Sequence, residues 1–299
     1  WPAALVRPAA LVQAWLDEAT QLGQLHTVWR ARVARLARDD ASPTQHQWRA
    51  LDADGQLLAQ APVVVVAAAH GSQALLMHSA AQDQHSLPLR PVQGQLSFGA
   101  LDGAPLMPRP QRDNGVFVPL YEDSGLPPQW PARVWAMGST YERGLDCTEV
   151  RAASHERNAA SLALLCPDAA AHMRQTLAAG QLLGWAQVRC ASLDRLPLMG
   201  AVPQLAALQA QADQAGSRRG RLALDDVPRW PGLYTLTALG SRGLTLSHWC
   251  ATQLARQMDG QAALVTEQDQ DLVRALDPAR FAWKQARRQP QPASALTQV

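Results

Sequence analysis

"LTALGSRGLTLSHWCATQLARQM", residues Leu236 to Met258, is the stretch that decides the fold class. Its apolar and β-branched start predicts a strand over Leu233–Ala238, after which apolar residues recur at helical spacing. The turn Gly240-Ser241-Arg242-Gly243 lies between the two patterns. The apolar positions of the predicted helix are Leu244, Leu246, Trp249, Cys250, Leu254 and Met258. A strand, a glycine turn and a helix in direct succession indicate an α/β domain.

The glycine turn has the composition of a ligand-binding loop. The first N–H groups of a helix have no partner within the helix and lie at the positive end of its dipole, so they suit electron-rich ligand atoms. Gly240 and Gly243 allow a ligand to approach the backbone closely. Arg242 is the group of the turn that can bind a carboxylate through two hydrogen bonds. The residues alone equally allow an ordinary turn with a surface arginine.

The composition is that of a globular protein with little net charge. Of its 299 residues, 47% are hydrophobic, which provides a core and excludes disorder for most of the chain. The formal net charge is +2, and Lys284 is the only lysine. An anion-binding site in this chain must therefore use arginine guanidinium groups or backbone N–H groups.

Neither a metal site nor a membrane segment is expected. The four cysteines form no CxxC pair, which suits a reducing cytoplasm, and the eight histidines show no HxxxH spacing. The longest apolar run, residues 61–69, is much shorter than the ~20 residues that a membrane span needs. The chain begins at Trp1 without a methionine, and we expect it to be a fragment of a longer protein.

The first part of the chain predicts α/β elements. Pro8 to Leu22 has the apolar spacing of a helix, and Asp54-Gly55 marks a hairpin turn. The run "APVVVVAAA", residues 61–69, predicts a parallel strand buried on both faces. A short helix is expected from Gln73 onward.

The sequence pattern then changes to short strand-like segments with many prolines. From Leu87 to about Val188 we expect a mainly antiparallel sheet with one helix, Ser154 to Leu165. Residues 204–220 predict a polar loop, after which the α/β pattern resumes. The expected fold is α/β, or α+β overall. Its expected segments are residues 1–80, 81–188 and 189–288, followed by a flexible tail, 289–299.

Several spaced motifs occur in an order that identifies a family. "PGLYTLTALGSRGLTLSHWCATQLARQM" (231–258) contains the pattern GLY…LGSRGLT, and "VRCASLDRLPLMGAVP" (188–203) the pattern R-x-x-x-x-D-x-L-P-x-x-G. Both resemble the D-amino-acid-oxidase, glycine-oxidase-like flavoproteins. "LPLRPVQGQLS", "VWAMGSTYERG", "SHERNAASLALLCP" and "ALDPARFAWKQARR" resemble further stretches of the family's tRNA-modifying branch. Gln93 departs from the pattern, since the PVRGQ stretch of that branch has arginine there.

The resemblance implies an FAD-binding Rossmann-like domain that is interrupted by an antiparallel substrate domain. The GxGxxG turn and first βαβ unit of such a domain are absent from these 299 residues. An S-adenosyl-L-methionine-dependent methyltransferase domain is expected upstream in the parent chain. The implied reaction is FAD-dependent removal of the carboxymethyl group from carboxymethylaminomethyl-uridine at the tRNA wobble position, which gives aminomethyl-uridine and glyoxylate.

The same resemblance assigns the site residues. Arg189 matches the position that binds the substrate carboxylate, and Arg242 matches a second active-site arginine; without the resemblance, Arg189 would be read as a surface arginine of a strand edge. Tyr141 and Tyr121 are candidate pocket walls, although packing within the sheet is the simpler interpretation. The implied FAD contacts are Gly240, Ser241, Gly243, Leu244, Val33, His70, Gly71, Gly94 and Gln95.

Three functions remain open on the sequence alone. The first is oxidation of a modified tRNA, the second is oxidation of a free amino acid such as glycine or sarcosine, and the third is a non-catalytic, truncated flavin domain. Candidate tRNA contacts are Ser217–Arg221 together with Lys284, Arg287 and Arg288. The four arginines between residues 30 and 38 fit a solvated strand face equally well.

Overall fold

One continuous segment of the chain forms a separate unit that interrupts the other. The computed structural model describes residues 5–23, 25–39, 47–79, 87–123, 125–261 and 266–288. Unit 1 comprises Trp1–Pro88 and Leu196–Val299, and unit 2 comprises Leu89–Arg195. The expected tail, 289–299, lies outside the described residues.

The described residues contain strands and helices in alternation. The strands are β1 (Arg35–Asp39), β2 (Gln47–Leu51), β3 (Leu57–Ala61), β4 (Val64–Val66), β5 (Leu89–Ala100), β6 (Gln111–Asp113), β7 (Gly115–Glu122), β8 (Arg133–Gly138), β9 (Glu142–Arg143), β10 (Leu183–Ser192), β11 (Leu198–Pro203) and β12 (Arg229–Thr237). The helices are α1 (Pro8–Gln21), α2 (Gly71–Ser79), α3 (Ala152–Leu165), α4 (Pro167–Ala178), α5 (Leu205–Ala215), α6 (Gly243–Met258), α7 (Glu267–Leu276) and α8 (Arg280–Ala286), with a 3₁₀ helix at Gly216–Arg221.

Unit 1 contains two three-stranded sheets. β1, β2 and β3 form an antiparallel meander, and Gly55, with φ +80°, occupies the hairpin turn that the sequence predicted. In the second sheet, β12 pairs antiparallel with β11 and parallel with β4, where Leu233 lies opposite Val64. The parallel strand was correctly predicted. Its burial on both faces was not, because β4 is an edge strand and Val63 and Val65 are 42% and 39% exposed.

Trp48 joins the two sheets of unit 1. Its side chain is fully buried, and Nε1 donates a hydrogen bond to the Pro231 carbonyl at 2.9 Å. Gly232 follows with φ +69°, and a Cβ there would lie 2.2 Å from the Pro62 carbonyl oxygen. Any other residue at position 232 would combine backbone strain with a clash, so the close approach of β12 requires glycine.

Helices α6 and α7 pack against the second sheet of unit 1, and α5 and α8 pack on each other. Cys250 and Leu254 of α6 are buried against Met199 of β11 and Leu276 of α7. Helix α5 packs on α8 through Leu208 and its neighbours. The predicted polar loop at 204–220 is therefore wrong, since α5 spans Leu205–Ala215 and the 3₁₀ helix spans Gly216–Arg221. Alanine and glutamine are good helix formers, and leucine and alanine recur there at helical spacing, which outweighs the polar composition.

Two arginines hold the C-terminal helices to β11 and β12. Arg229 forms two hydrogen bonds with the Asp277 carboxylate, both of 2.9 Å. Arg280 is 3% exposed. Its guanidinium donates to the backbone carbonyls of Leu196, Pro197, Leu276 and Asp277. These bonds fix the point where the chain re-enters unit 1.

Unit 2 is one antiparallel sheet with helices on one face. The strand order is β10-β5-β8-β7-β6, and β9 pairs with β5. β10 and β5 pair without interruption from Leu183, opposite Phe98, to Ser192, opposite Leu89. Helices α3 and α4 pack on one face around Phe117, Trp135, Met137, Leu162 and Met173. The opposite face carries a smaller cluster around Phe98, Val134 and Ala136.

The α/β class and the inserted antiparallel sheet are confirmed, whereas both boundaries of the insert differ from the expected 81–188, since unit 2 runs from Leu89 to Arg195. We predicted that the insert ends at Val188, but this residue lies inside β10, which continues to Ser192 and belongs to unit 2. The predicted helix 154–165 is present as α3. The sequence analysis missed α4, whose start carries Pro167 followed by Asp168, as is typical of a first helical turn.

Candidate active site

Arg189 projects from the face of the unit 2 sheet opposite to α3. It pairs with Val92 of β5, and cross-strand partners share a face of the sheet. Gly94 lies two residues further along β5 and therefore also points to this face. Arg189 thus stands beside the one position of β5 in this region that has no side chain.

Contacts on three sides hold the Arg189 guanidinium. Its Nη2 donates to the Ser139 hydroxyl and its Nη1 to the Thr140 carbonyl at 3.5 Å. The guanidinium carbon lies 5.9 Å from the centre of the Tyr141 ring, within the range of a cation–π contact. A Cβ at Gly94 would lie 2.1 Å from Nη1, so the guanidinium occupies the space above this glycine.

The electrostatic setting of Arg189 is that of a partly buried cation. Burial lowers the pKa of its guanidinium from the usual value, and the interaction with Tyr141 opposes that shift. An arginine remains protonated in spite of such a shift. A cation removed from bulk water binds a carboxylate more strongly than an exposed one does, because the dielectric screening is weaker.

The two tyrosines that we considered as pocket walls differ. Tyr141 is 45% exposed and its ring contacts both Arg189 and Arg143. Tyr121 packs in the apolar cluster around Phe98, and its hydroxyl donates to Asp123 at 2.7 Å. Tyr141 is therefore the one of the two that lies beside the candidate carboxylate-binding arginine.

The predicted cofactor contact of Gln95 needs a correction. Its side chain lies on the face that carries α3, where its amide oxygen and nitrogen bond the backbone of Arg151 at 2.8 and 3.0 Å. Its backbone N–H donates to the Thr140 hydroxyl and its carbonyl accepts from Asn158. We predicted that Gln95 contacts the cofactor, but these bonds occupy its polar groups. It anchors the start of α3 to the sheet instead.

Gln93 shares the face of Gln95. Its side chain is fully buried, and Nε2 donates to the carbonyls of Cys147 and Glu149 at 2.9 and 3.1 Å. Glutamine in place of the arginine of the family pattern therefore affects the packing beneath α3. The face of the sheet that carries Arg189 is not affected.

In unit 1, the turn 240–243 exposes the start of α6. Gly240 has φ +58°, and a Cβ at Gly243 would meet no atom within 4 Å. The N-cap residue is Arg242, whose guanidinium has donors only and so cannot cap the helix. Ser241, Arg242 and Leu244 are exposed. The open space at Gly243 leaves room for a ligand to approach the start of α6, so this turn stays a candidate site for a group that carries hydrogen-bond acceptors.

The remaining predicted cofactor contacts lie in two other loops of unit 1. His70 and Gly71 follow β4, and the Thr237 hydroxyl donates to the Ala69 carbonyl at 3.0 Å. The carboxyl ends of the parallel strands β4 and β12 are therefore adjacent, which is where ligands bind in such sheets. Val33 precedes β1 and packs against the Trp48 cluster. The structure gives it no feature beyond packing.

The basic segments that we considered for tRNA contacts are partly engaged in local structure. Arg219 of the 3₁₀ helix bonds the Gly216 carbonyl and lies 3.8 Å from Asp213. Arg287 donates to the Gly220 carbonyl and stacks on Trp283. These contacts tie the 3₁₀ helix to α8, which accounts for the two arginines without a ligand.

No group of three or more histidine, cysteine, aspartate or glutamate side chains in the described residues is placed to hold a metal ion. Among the described helices, none combines the length and the hydropathy needed to cross a bilayer.

Sequence analysis missed the residues that position Arg189. Ser139 and Thr140 belong to the "GST" stretch, whose resemblance to the family was noted without a role. It also missed Arg90, Arg143 and Arg195, which surround a cavity beside Tyr141. Their positions in the chain are far apart, so no local pattern indicates that they lie together.

Comparisons with known proteins agree with the resemblance. The family model "FAD dependent oxidoreductase" matches residues 1–257. The tRNA 5-methylaminomethyl-2-thiouridine biosynthesis bifunctional protein MnmC of Delftia acidovorans is 39% identical over 260 residues, which cover 85% of this chain and 35% of that protein. The protein of the same name from Ralstonia nicotianae is 37% identical over 286 residues, covering 94% of this chain and 39% of that protein. The chain thus spans well under half the length of these relatives.

Solved structures with a similar fold are more distant in sequence. Iminodiacetate oxidase from Chelativorans sp. BNC1 has a TM-score of 0.50 at 17% identity, over 84% of this chain and 54% of that one. Fructosyl amine:oxygen oxidoreductase (Amadoriase I) from Aspergillus fumigatus has a TM-score of 0.52 at 14% identity, over 92% and 56%. At these identities the likeness concerns the fold alone.

Proposed function

Since the chain belongs to the family of FAD-dependent oxidoreductases, we propose that it oxidises the carboxymethylaminomethyl group of a wobble uridine in tRNA. The products are aminomethyl-uridine and glyoxylate. The tRNA substrate is suggested by the relatives that bear the MnmC name, at 34% to 39% identity. A methyltransferase domain in the parent chain and a cytoplasmic location are part of the same proposal.

The observation that carries the proposal is the setting of Arg189. Ser139, Thr140 and Tyr141 fix its guanidinium above Gly94, on an open face of the sheet. A planar guanidinium binds a carboxylate through two parallel hydrogen bonds, which fixes the orientation as well as the position of the bound group. A substrate in which one CH₂ links an amine to a carboxylate is thereby held with that CH₂ at a defined place.

The turn 240–243 is the part of unit 1 that we propose to hold FAD. The open space at Gly243 and the uncapped N–H groups of α6 fit the oxygen atoms of the cofactor's polar chain. When bound, FAD supplies the acceptor for the hydride that leaves the substrate CH₂. A role of Arg242 in substrate binding stays a prediction, since its exposed guanidinium at the N-cap is compatible with several anions.

The chain's own part in the reaction is binding and orientation. Arg189 stays protonated throughout, so it acts as a fixed cation and transfers no proton. Once the CH₂ carbon has lost two electrons and a proton, water adds to it and the C–N bond breaks, which releases glyoxylate and leaves the primary amine on the nucleoside. The steps therefore require neither a nucleophilic side chain nor a metal ion.

The test uses the full-length protein that contains this chain. Its absorbance spectrum shows whether flavin co-purifies, and incubation with tRNA that carries carboxymethylaminomethyl-uridine, followed by mass spectrometry of nucleosides, shows whether aminomethyl-uridine forms. Flavin with conversion supports the proposal. Flavin with activity on glycine or sarcosine but none on tRNA would replace it with an amino-acid oxidase. A protein without flavin would refute both.

A further inference from the structure

A cavity lies beside Tyr141 on the face of unit 2 that carries Arg189. A cavity of about 220 Å³ opens there, several times the ~30 Å³ that one water molecule occupies in the liquid. Its walls combine five polar or charged side chains with three apolar ones. They are formed by Arg90, Val92, Tyr141, Arg143, Ala191, Ser192, Leu193 and Arg195.

The register of the sheet explains why three arginines converge. Arg143 of β9 pairs with Val92, and Arg90 lies two residues before Val92, so both point to the face that carries Arg189. Arg195 reaches the same cavity from the turn that follows β10. Residues from three separate parts of the chain thus supply the same charge to one cavity.

Glu142 and Asp194, the acidic residues next to Arg143 and Arg195 in the chain, bond to other groups. Glu142 points to the opposite face, where it forms an ion pair with Arg157 at 2.8 Å. Asp194 accepts a hydrogen bond from the Ser192 hydroxyl at 2.8 Å. Over the described ranges of the chain, no carboxylate forms an ion pair with Arg90, Arg143 or Arg195. The cavity is therefore lined by three arginine side chains and by no carboxylate.

Arg195 has a backbone conformation that glycine adopts more easily than arginine does. Its φ is +66°, in the left-handed region that favours glycine. Its N–H closes the turn by donating to the Ser192 carbonyl at 3.2 Å. Glycine would form the same turn without strain. A non-glycine residue in this conformation, with its guanidinium in a cavity, is the kind of outlier that indicates a functional constraint.

Tyr141 connects this cavity to the Arg189 site. The guanidinium carbons of Arg143 and Arg189 each lie 5.9 Å from the centre of its ring. They are therefore at most twice that distance apart. A nucleotide whose base carries a short chain ending in a carboxylate holds its carboxylate and its phosphate at a separation of this order.

We propose that the cavity formed by Arg90, Arg143 and Arg195 binds a backbone phosphate of tRNA, next to the nucleotide whose carboxylate Arg189 binds. This inference rests on the proposed function. It adds that the protein distinguishes tRNA from the free nucleoside by a phosphate contact built into the substrate unit itself. Arginine is the residue best suited to such a contact, because two N–H groups of its planar guanidinium can bond two phosphate oxygens at once.

The test compares Arg195→Gly with Arg112→Ala in the full-length flavoprotein. Both substitutions remove one positive charge from unit 2. Arg112 is an exposed residue of β6 and lies outside the cavity. Glycine at position 195 relieves the strained φ, so this substitution does not unfold the turn. The measured quantities are kcat/KM for modified tRNA, kcat/KM for the isolated modified nucleoside, and the salt dependence of tRNA binding.

For Arg195→Gly, we expect the ratio of the two kcat/KM values to fall about tenfold, and the slope of log Kd against log salt to decrease by about one. Arg112→Ala should leave both at the wild-type value. If wild type converts tRNA and Arg195→Gly behaves as Arg112→Ala does, the cavity is not a phosphate site, although the proposed function stands. If wild type neither binds nor converts tRNA, both proposals fall.

Discussion

The guanidinium of Arg189 fills the space that a side chain on Gly94 would need. A Cβ on Gly94 would lie 2.1 Å from Nη1 of Arg189 and 2.4 Å from its guanidinium carbon. The two residues stand on neighbouring strands, offset by two residue pairs in the register of β5 and β10. The glycine is thus required by the position of the arginine side chain, and the backbone conformation alone would accept other residues.

Gly94→Ala should therefore displace the guanidinium while the sheet stays folded. A misplacement of the carboxylate-binding group by about 1 Å is expected to lower kcat/KM about a hundredfold. Steady-state kinetics and the unfolding temperature check this. Gly103→Ala is the matched control, because a Cβ at Gly103 meets no atom within 4 Å. Wild-type kinetics in Gly94→Ala would contradict the assignment of Arg189.

Arg189→Lys tests the geometry of the carboxylate contact. Lysine keeps the charge but loses the fork that binds both carboxylate oxygens and the second contact to Ser139 and Thr140. We expect kcat/KM to fall about a hundredfold and the flavin content to stay at the wild-type level. Arg189→Ala should fall further. Loss of flavin in either variant would mean that Arg189 holds the cofactor rather than the substrate.

Gly243→Ala separates cofactor binding from folding. Alanine at the first position of α6 meets no atom in this structure and favours the helix, so the unfolding free energy of the protein without FAD should stay constant or rise by about 0.5–1 kcal/mol. If the turn lies against FAD, the added methyl group should weaken FAD binding about tenfold or more. Flavin fluorescence titration measures this. Gly220→Ala, also in open space, is the control, and equal affinity in the two variants would argue against the turn.

Asp277→Ala should destabilise unit 1. It removes both hydrogen bonds to Arg229 and the bond that Asp277 accepts from the Ala279 N–H at 2.7 Å. Because both side chains of the ion pair are about a fifth exposed, solvent recovers part of the loss, and we expect about 2 kcal/mol in the unfolding free energy. Denaturant titration checks the value. Asp225→Ala, in an exposed pair with Arg274, is the control and should leave the unfolding free energy close to the wild-type value.

Unit 2 should lose stability in mild acid because of His155. Burial lowers its pKa from 6.5, and Glu156 opposes the shift in part. The neutral ring bonds the Ser97 hydroxyl through Nδ1 at 2.8 Å. A lowered pKa in the folded state means that the stability is complete above pH 6.5 and is lost as the pH falls below it, with a slope of at most about 1.4 kcal/mol per pH unit. His155→Asn should flatten the dependence of the unfolding free energy between pH 7.5 and 5. An unchanged slope would point to another group.

Local patterns predicted the elements that depend on local interactions. β12, the turn 240–243 and α6 were found because a strand pattern, glycines and helical spacing succeed one another within one stretch. α5 was missed because its glutamine and alanine content was read as a loop, although both residues favour helices. The edge position of β4 depends on its pairing, which no local pattern contains.

The candidate site was predictable in its residues and unpredictable in its geometry. Arg189 and Gly94 were each assigned from motifs, but their contact follows from the register between β5 and β10, which lie far apart in the chain. The sequence placed Gln95 beside Gly94 in one site, whereas the alternation of a strand sends its side chain to the other face. The cavity of three arginines depends on the pairing of β9 with β5 in the same way.

The interruption of unit 1 by unit 2 affects the order in which the nascent chain folds. Unit 2 is one continuous segment, so it is complete as soon as Arg195 has left the ribosome. β4 ends at Val66, but its parallel partner begins at Arg229, and Arg280 must then bond the carbonyls of Leu196 and Pro197. At the usual speed of translation, roughly ten to thirty seconds therefore pass between the synthesis of β4 and the synthesis of its partner β12. During that interval its exposed edge is available to chaperones and to aggregation, while unit 2 is already able to fold.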